Sequence, residues 1–369
     1  MRRSLGSLLS VSIVLIGCAG GASEPTRGDL LLTADRLFDG RRMIDDGAVL
    51  ITGSKIVVAG TDLDDAEAKR RIDLGDATLL PGFIDLHVHR EGGKGALARG
   101  VTTVRDLGAP LFVVARARPS PGALRVLHAG PILTAPGGYP IGRYPGLGLP
   151  FRGVKGARKA VNIVADAGAV VVKLALEPGI TTPYPVPSRQ EVEAVVRAAH
   201  ARKLRVTAHV SGQVGARLAL DAGVDELAHM PCLVTEPGLL RELARKGVPV
   251  VGTLHVAVNL GCVPIANARV FVSAGGKLLY GSDYGNPRIP AGIDVEELKL
   301  MVLAGLTPAE AIAGATAEAG KLLGMEPLGT LVAGAPADVI AVRGDPLAQL
   351  HALDDRVLVV AGGRTVVSP

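Results

Sequence analysis

Tryptophan is absent from the 369 residues, and phenylalanine and tyrosine occur five times each, so aromatics make up only 3% of the chain. No aromatic residues interleave with basic ones and no basic reading helix is visible, which speaks against a nucleic-acid surface. Neither charge dominates: 40 basic and 35 acidic residues give a formal +5, lowered to +3 if Arg2 and Arg3 leave with a leader. Long charge runs and internal repeats at solenoid periods are missing, which removes charged tails and stacked-repeat architectures. Cysteine occurs three times, and nothing in the spacing of Cys232 and Cys262 argues for a pair, so both are read as buried thiols. What is present is 48% apolar residues and 48 glycines, a composition of buried parallel strands in an α/β fold rather than of disorder. The length suits one barrel of about 250 residues plus a small accessory domain.

The amino terminus carries a separate message. Arg2 and Arg3 precede the apolar stretch Leu8–Ile16, which is too short to span a bilayer and reads as a secretory signal peptide over residues 1–17. Leu15-Ile16-Gly17-Cys18 resembles the bacterial lipobox, which implies cleavage before Cys18 and its lipidation. More than one acyl chain gives stable anchoring where a single chain does not. Residues 18–27 are then a flexible tether, and the expected location is the cell envelope, on the outer membrane facing the periplasm. An ordinary cleaved signal with a chance cysteine is the alternative.

Along the chain, the spacing of His87 and His89 is the first chemical clue. Side chains on a strand alternate faces, so these two imidazoles point the same way. Further candidates follow apolar, β-branched runs: Val170-Val-Val before Lys173, Leu204-Arg-Val-Thr-Ala before His209, Lys277-Leu-Leu-Tyr before Asp283. Between the runs lie helix patterns with capping boxes, Ser188-x-x-Glu191 and Thr307-Pro308-x-Glu310, the second leading into Ala311–Leu323. Alternation of strand and helix predicts a parallel sheet. In a closed (β/α)8 TIM-type barrel, strand ends converge on one mouth, where barrel enzymes place their chemistry.

Pro81–His89, Gly100-Val-Thr-Thr-Val-Arg-Asp-Leu-Gly108, Ala222–His229 and Gly329–Asp338, in this order, resemble the amidohydrolase superfamily, in particular its imidazolonepropionase-like and Xaa-Pro dipeptidase-like branch. The resemblance covers most of residues 28–345. It implies two divalent ions, most often zinc, bridged by a carboxylated Lys173, with His87, His89 and Asp283 on one ion and His209 and His229 on the other. Asp283 would also pass the proton of the attacking water to the leaving group. Histidine nitrogen and carboxylate oxygen are ordinary zinc ligands, and a water in an open coordination position ionises near neutrality. A lysine ammonium is no ligand, but its carbamate is an anionic oxygen donor. The resemblance further implies that residues 28–80 and 327–369 pair into a small β-sandwich beside a barrel at 81–326. Short strands are read at Asp29–Leu32, Gly47–Ile51, Lys55–Val58, Asp338–Val342 and Arg356–Val360.

Substrate recognition is less legible. Tyr139, Tyr144, Tyr184 and Tyr284 all follow strands, and Arg143, Arg152 and Arg288 share those loops, so a small, partly apolar ligand with a carboxylate is expected. Tyr139, Arg143 and Tyr184 are the chosen contacts, with His255 added because it ends the apolar run Val248–Leu254. Relatives commonly read Gly-Gly-His where this chain has Gly137-Gly138-Tyr139, so specificity does not carry over. The segments from His89 to Gly100 and from His229 to Asp283 are short, which predicts a barrel trimmed around strands one and seven. Asp85 reads as a structural hydrogen-bonding residue, and His128, His200 and His351 as outside the site. The favoured reading is hydrolysis of amide or cyclic-amide bonds in small molecules or dipeptides. Esters, lactones or phosphotriesters on the same site, or a non-enzymatic ligand-binding lipoprotein, are the alternatives. A homo-oligomer is left open.

Overall fold

The computed structural model describes residues 26–116, 120, 122–144, 146–179 and 182–369. The expected signal peptide, Cys18 and the tether up to residue 25 lie outside the described residues.

Both chain ends meet in one mixed sheet of eight strands. Arg27–Phe38 pairs antiparallel with Met43–Thr52, which continues to Lys55–Gly60, and its two halves take Glu67–Asp73 and Ala77–Pro81 as parallel partners. From the other end Val339–Arg343 pairs antiparallel with Ala77–Pro81 and with Arg356–Ala361, which carries Arg364–Val367. One face buries Leu32, Leu37, Val49, Leu79, Val339 and Val360, while Leu31, Ala48 and Leu50 pack a second cluster. Strands from both terminal segments pair, and their ladders make one branched sheet.

The central segment forms two parallel sheets. Phe83–Val88, Val101–Asp106 and Arg125–His128 (strands one to three) make one, and Val171–Ala175, Arg205–His209, Glu226–Leu227, Val250–Val251 and Leu278–Leu279 (strands four to eight), with the short Ile132–Thr134 and Gly148–Pro150 beside strand four, make the other. The ladders do not close into one ring, yet hydrogen bonds link the three-stranded sheet to the other on both sides. Asp283 N donates to His87 O at 2.7 Å and His89 N to Tyr284 O at 2.7 Å, while Val170 N donates to His128 O at 2.9 Å. The two sheets also share the buried pair of Arg105 Nη2 and Glu226 Oε1 at 2.6 Å.

Helices alternate with these strands because amphipathic segments can bury one stripe against them. Arg189–Ala201 opens with the expected capping box at Ser188 and Glu191, and buries Val192, Val195 and Ala199. The box at Thr307 and Glu310 opens Pro308–Gly314, but helix stops there and restarts as Ala317–Leu322, since Thr316 leaves helical geometry. After strand one, two short 3₁₀ turns, Arg90–Gly92 and Leu97–Arg99, stand where a full helix would be, as the short spacing predicted. No helix among the described residues is long and apolar enough to cross a membrane.

Candidate active site

Six side chains from five parallel strands and the residues just after them meet in a cavity of about 880 Å³. His87 sits within strand Phe83–Val88 and is buried, and the alternation of that strand brings His89 to the same side. Lys173 lies in the middle of Val171–Ala175 and is only 1% exposed. His209 ends Arg205–His209, His229 follows Glu226–Leu227, and Asp283 follows Leu278–Leu279. All six line the cavity.

The rings are held in specific orientations. His87 Nδ1 lies 2.8 Å from the carbonyl oxygen of Ala228, which makes Nδ1 the donor and leaves the Nε2 lone pair facing the cavity. His229 Nδ1 lies 2.8 Å from Thr253 Oγ1, and His229 Nε2 faces His209 Nδ1 at 2.8 Å. The other nitrogen of His209, Nε2, faces Glu177 Oε2 at 3.5 Å. Each of the three imidazoles therefore has one nitrogen turned outward to an oxygen and the other turned inward. Burial holds His87 and His229 well below the usual imidazole pKa and lowers His209, with Lys173 adding to the effect. Neutral rings with inward lone pairs are what a cation requires.

Asp283 completes the set. Its Oδ1 lies 3.5 Å from His87 Nε2 and 3.3 Å from His89 Nε2. Ligand atoms of His87, His229 and Asp283 all lie within 4.8 Å of one another. His87 Nε2, Asp283 Oδ1 and Lys173 Nζ are buried without a hydrogen-bond partner among the described residues. Buried polar atoms are normally paired, so three unpartnered atoms converging on one cavity fit a cation site. Beneath them, Asp85 accepts from Ser282 Oγ at 2.5 Å, Ser282 N at 3.0 Å and His87 N at 3.1 Å, tying strand one to strand eight. This is the structural role expected of it.

Lys173 is the unusual member. Burial lowers its pKa to about 7, only partly opposed by the negative charge of Asp283. A substantial neutral fraction at physiological pH makes the amine a nucleophile.

Of the expected substrate contacts, Tyr139, Arg143 and Tyr184 line the cavity, together with Tyr144. Tyr139 stacks on His209 at 4.7 Å and meets Tyr184 edge-on at 5.9 Å. Arg152, Arg288 and Tyr284 are not part of the lining. His255 requires correction. Strand seven ends at Val251, and the chain turns at Thr253 into the helix Leu254–Asn259, which carries His255 away from the cavity. Its ring instead meets Asp294 Oδ2 at 2.7 Å. The buried-thiol reading is also corrected: Cys232 and Cys262 form a disulfide with Cα atoms 5.0 Å apart, because the loops after strands six and seven lie side by side in the cavity wall. Glu177 and Thr253 were not singled out from the sequence. A carboxylate four positions after Lys173 was the available signal for the first; the second had none.

Fold and site together define a class, an α/β enzyme whose candidate metal-binding residues gather at the carboxyl ends of parallel strands. Residues 78–366 match the Amidohydrolase family model, and the chain belongs to that family. It is therefore a hydrolase-family enzyme. Ochratoxinase of Aspergillus niger is 26% identical over 91% of this chain and 81% of its own length. Imidazolonepropionase of Symbiobacterium thermophilum is 25% identical over 88% of each. Among solved structures, a Xaa-Pro dipeptidase with bound methionine superimposes with a TM-score of 0.81 at 23% identity, covering 92% of this chain and all of that one.

Proposed function

We propose that the chain is a metal-dependent hydrolase that cleaves an amide or cyclic-amide C–N bond in a small molecule. The observation behind this reading is the set of outward-tethered imidazoles facing a buried, unpartnered carboxylate. His87, His89 and Asp283 would hold one divalent ion, zinc in this reading, and His209 and His229 a second. Lys173 would join this ligand set as a carbamate: its neutral amine would add to carbon dioxide with loss of one proton, giving an anionic oxygen donor. Bound divalent ions polarise a carbonyl and bring the pKa of a coordinated water to about 7. The protein's own groups supply the rest. Asp283 Oδ1 takes a proton from the attacking water and returns it to the leaving nitrogen, so that water divides between the acid and the amine. Tyr139, stacked on His209, shields that side of the site from solvent. The same reading takes the two parallel sheets as one eight-stranded barrel, supported by the hydrogen bonds that bridge both edges.

Lys173 gives the test. Lys173→Ala should lower bound zinc from about two ions toward one or none, with hydrolysis of an amide panel collapsing alongside. Lys173→Glu, or an added short-chain carboxylic acid with the alanine variant, should restore part of the metal. Full metal content and turnover in Lys173→Ala would make the lysine an ordinary strand residue and overturn the bridged site.

Export and lipid anchoring through Cys18 belong to the same proposal. The Cys232–Cys262 disulfide supports it, because such bonds persist in oxidising compartments. Cys18→Ser should release soluble protein or leave an uncleaved precursor on membrane fractionation. A variant that fractionates and migrates like the parent removes the anchor.

A further inference from the structure

His255, Tyr280, Asp294 and Glu297 cluster outside the cavity and take no part in the chemistry proposed above. Tyr280, Asp294 and Glu297 are buried, and neither acid meets a lysine or arginine among the described residues. A buried carboxyl without a cation is costly, so its other contacts decide why it is there. Asp294 caps the helix Val295–Leu303: Oδ1 accepts from Glu296 N at 3.2 Å and from Glu297 N at 3.4 Å, while Asp294 N donates to Tyr280 Oη at 2.8 Å. Its other oxygen, Oδ2, meets His255 Nδ1 at 2.7 Å. In the same first turn, Glu297 Oε2 accepts from His255 N at 2.7 Å, and Leu254 N donates to the same carboxyl. The start of one helix thus grips the start of another, Leu254–Asn259, by ring and by backbone.

The gripped residues follow directly on Thr253, whose φ of 48° turns the chain out of strand seven and whose hydroxyl lies 2.8 Å from His229 Nδ1. Glu297 also reaches the residue before that turn. Its Oε1 has no hydrogen-bond partner among the described residues and lies where a Cβ on Gly252 would come within 2.4 Å of it. One carboxyl therefore touches both flanks of Thr253, Gly252 on one side and Leu254 and His255 on the other. Burial holds it well above the usual carboxylate range, with Asp294 and Asp85 adding to the effect against the two backbone donors. It packs there as a neutral group, so its shape and its acceptor oxygen matter and its charge does not.

We propose that Glu297 and the Asp294–His255 pair are positioning residues for the candidate metal site: they fix the turn around Thr253, so that its hydroxyl keeps the His229 proton on Nδ1 and the Nε2 lone pair turned inward. The second imidazole of the ligand set after strand five is then oriented by residues that never touch it, through a single backbone turn. The purpose of the clamp rests on the metal-hydrolase reading above. The proton position does not, because it is a property of the metal-free chain.

Histidine labelled with the heavy nitrogen isotope reports, by magnetic resonance on the full chain freed of metal, which nitrogen of His229 carries the proton, the signal being assigned by its loss in His229→Gln. Competitive titration reports zinc affinity. Gly252→Ala, which drives a methyl group into Glu297, and His255→Ala, which removes the ring from Asp294, should each mix the two tautomers of His229 and weaken zinc binding about tenfold, the lower end of what loss of a ligand's supporting partner costs. Glu297→Leu should do the same, and the other two variants decide the matter if it does not fold. Glu297→Gln, similar in shape and neutral, should match the parent in both measurements. A parent-like tautomer and zinc affinity in Gly252→Ala and His255→Ala overturns the proposal, and a lower thermal midpoint with neither change assigns the cluster to packing and overturns it too. An impaired Glu297→Gln overturns it as well, since the clamp needs no charge. A parent that binds no zinc overturns the metal reading, and the His229 tautomer in the variants still decides the clamp.

Discussion

Thr253 sits in the left-handed region, φ 48° and ψ 38°, which a β-branched residue rarely adopts. Such a conformation costs about 1–3 kcal/mol and persists where something else holds it. Here that something is its hydroxyl, 2.8 Å from His229 Nδ1, at the point where strand seven turns into a helix. Thr253→Gly relieves the backbone and removes the hydroxyl together, so two measurements should move in opposite directions. The metal-free protein should melt no lower than the parent, since relief exceeds the roughly 0.5–1 kcal/mol of added chain freedom. Its zinc affinity should fall about 10- to 100-fold, and Thr253→Ser should keep most of it. Unchanged zinc affinity in the glycine variant, by competitive titration, would show that the hydroxyl does not set the ring. Individual residues were legible where chemistry follows local spacing, as in His87-Val-His89. Thr253 was not, because its conformation is imposed by the neighbours of the folded chain. His255 was misread for the same reason: Val248–Leu254 looks like one strand until Gly252 and Thr253 end it.

Among elements, the loops after strands six and seven are the ones that a covalent bond holds together. Cys232 and Cys262 are 30 positions apart, and closing a loop of that size stabilises by about 3.6 kcal/mol in the chain-entropy picture. The double variant Cys232→Ser, Cys262→Ser should lower the thermal midpoint by several degrees, and dithiothreitol should bring the parent to a similar value. Equal midpoints with and without the bond would mean that the loops are held by packing alone. Sequence could not supply this pairing, since it depends on which loops become neighbours. It did supply the capping boxes at Ser188 and Thr307, which are written within four residues, and the outer strands, whose alternation is local. The break at Thr316 escaped because Ala311–Leu323 was read as one helix although it holds Gly314, Thr316 and Gly320, and in the fold Ile84 N donates to Ala315 O at 2.7 Å.

At the scale of the whole molecule, one buried ion pair spans the two parallel sheets. Arg105 also donates through Nε to Leu86 O at 2.8 Å, so a single side chain touches strands one, two and six. Arg105→Met leaves Glu226, 0% exposed, with only Arg205 Nε at 3.9 Å and should cost about 3 kcal/mol in urea unfolding. Arg105→Met with Glu226→Gln should recover part of that, and a single variant as stable as the parent would remove the pair as a tie. The overall plan was legible because strand, helix and motif order are all written in sequence, whereas closure is a property of edges that no local pattern records. The terminal sheet has a consequence for how the protein is made. Leu79 pairs with Ala341, so the ribosome delivers the first half of that sheet long before its other half exists. At synthesis rates of about 5–20 residues per second, the early strands wait for tens of seconds with an open edge. Such a sheet has no independent amino-terminal half, so a chain cut before Val339 should leave Ala77–Pro81 without its antiparallel partner and expose an edge that pairs with other copies.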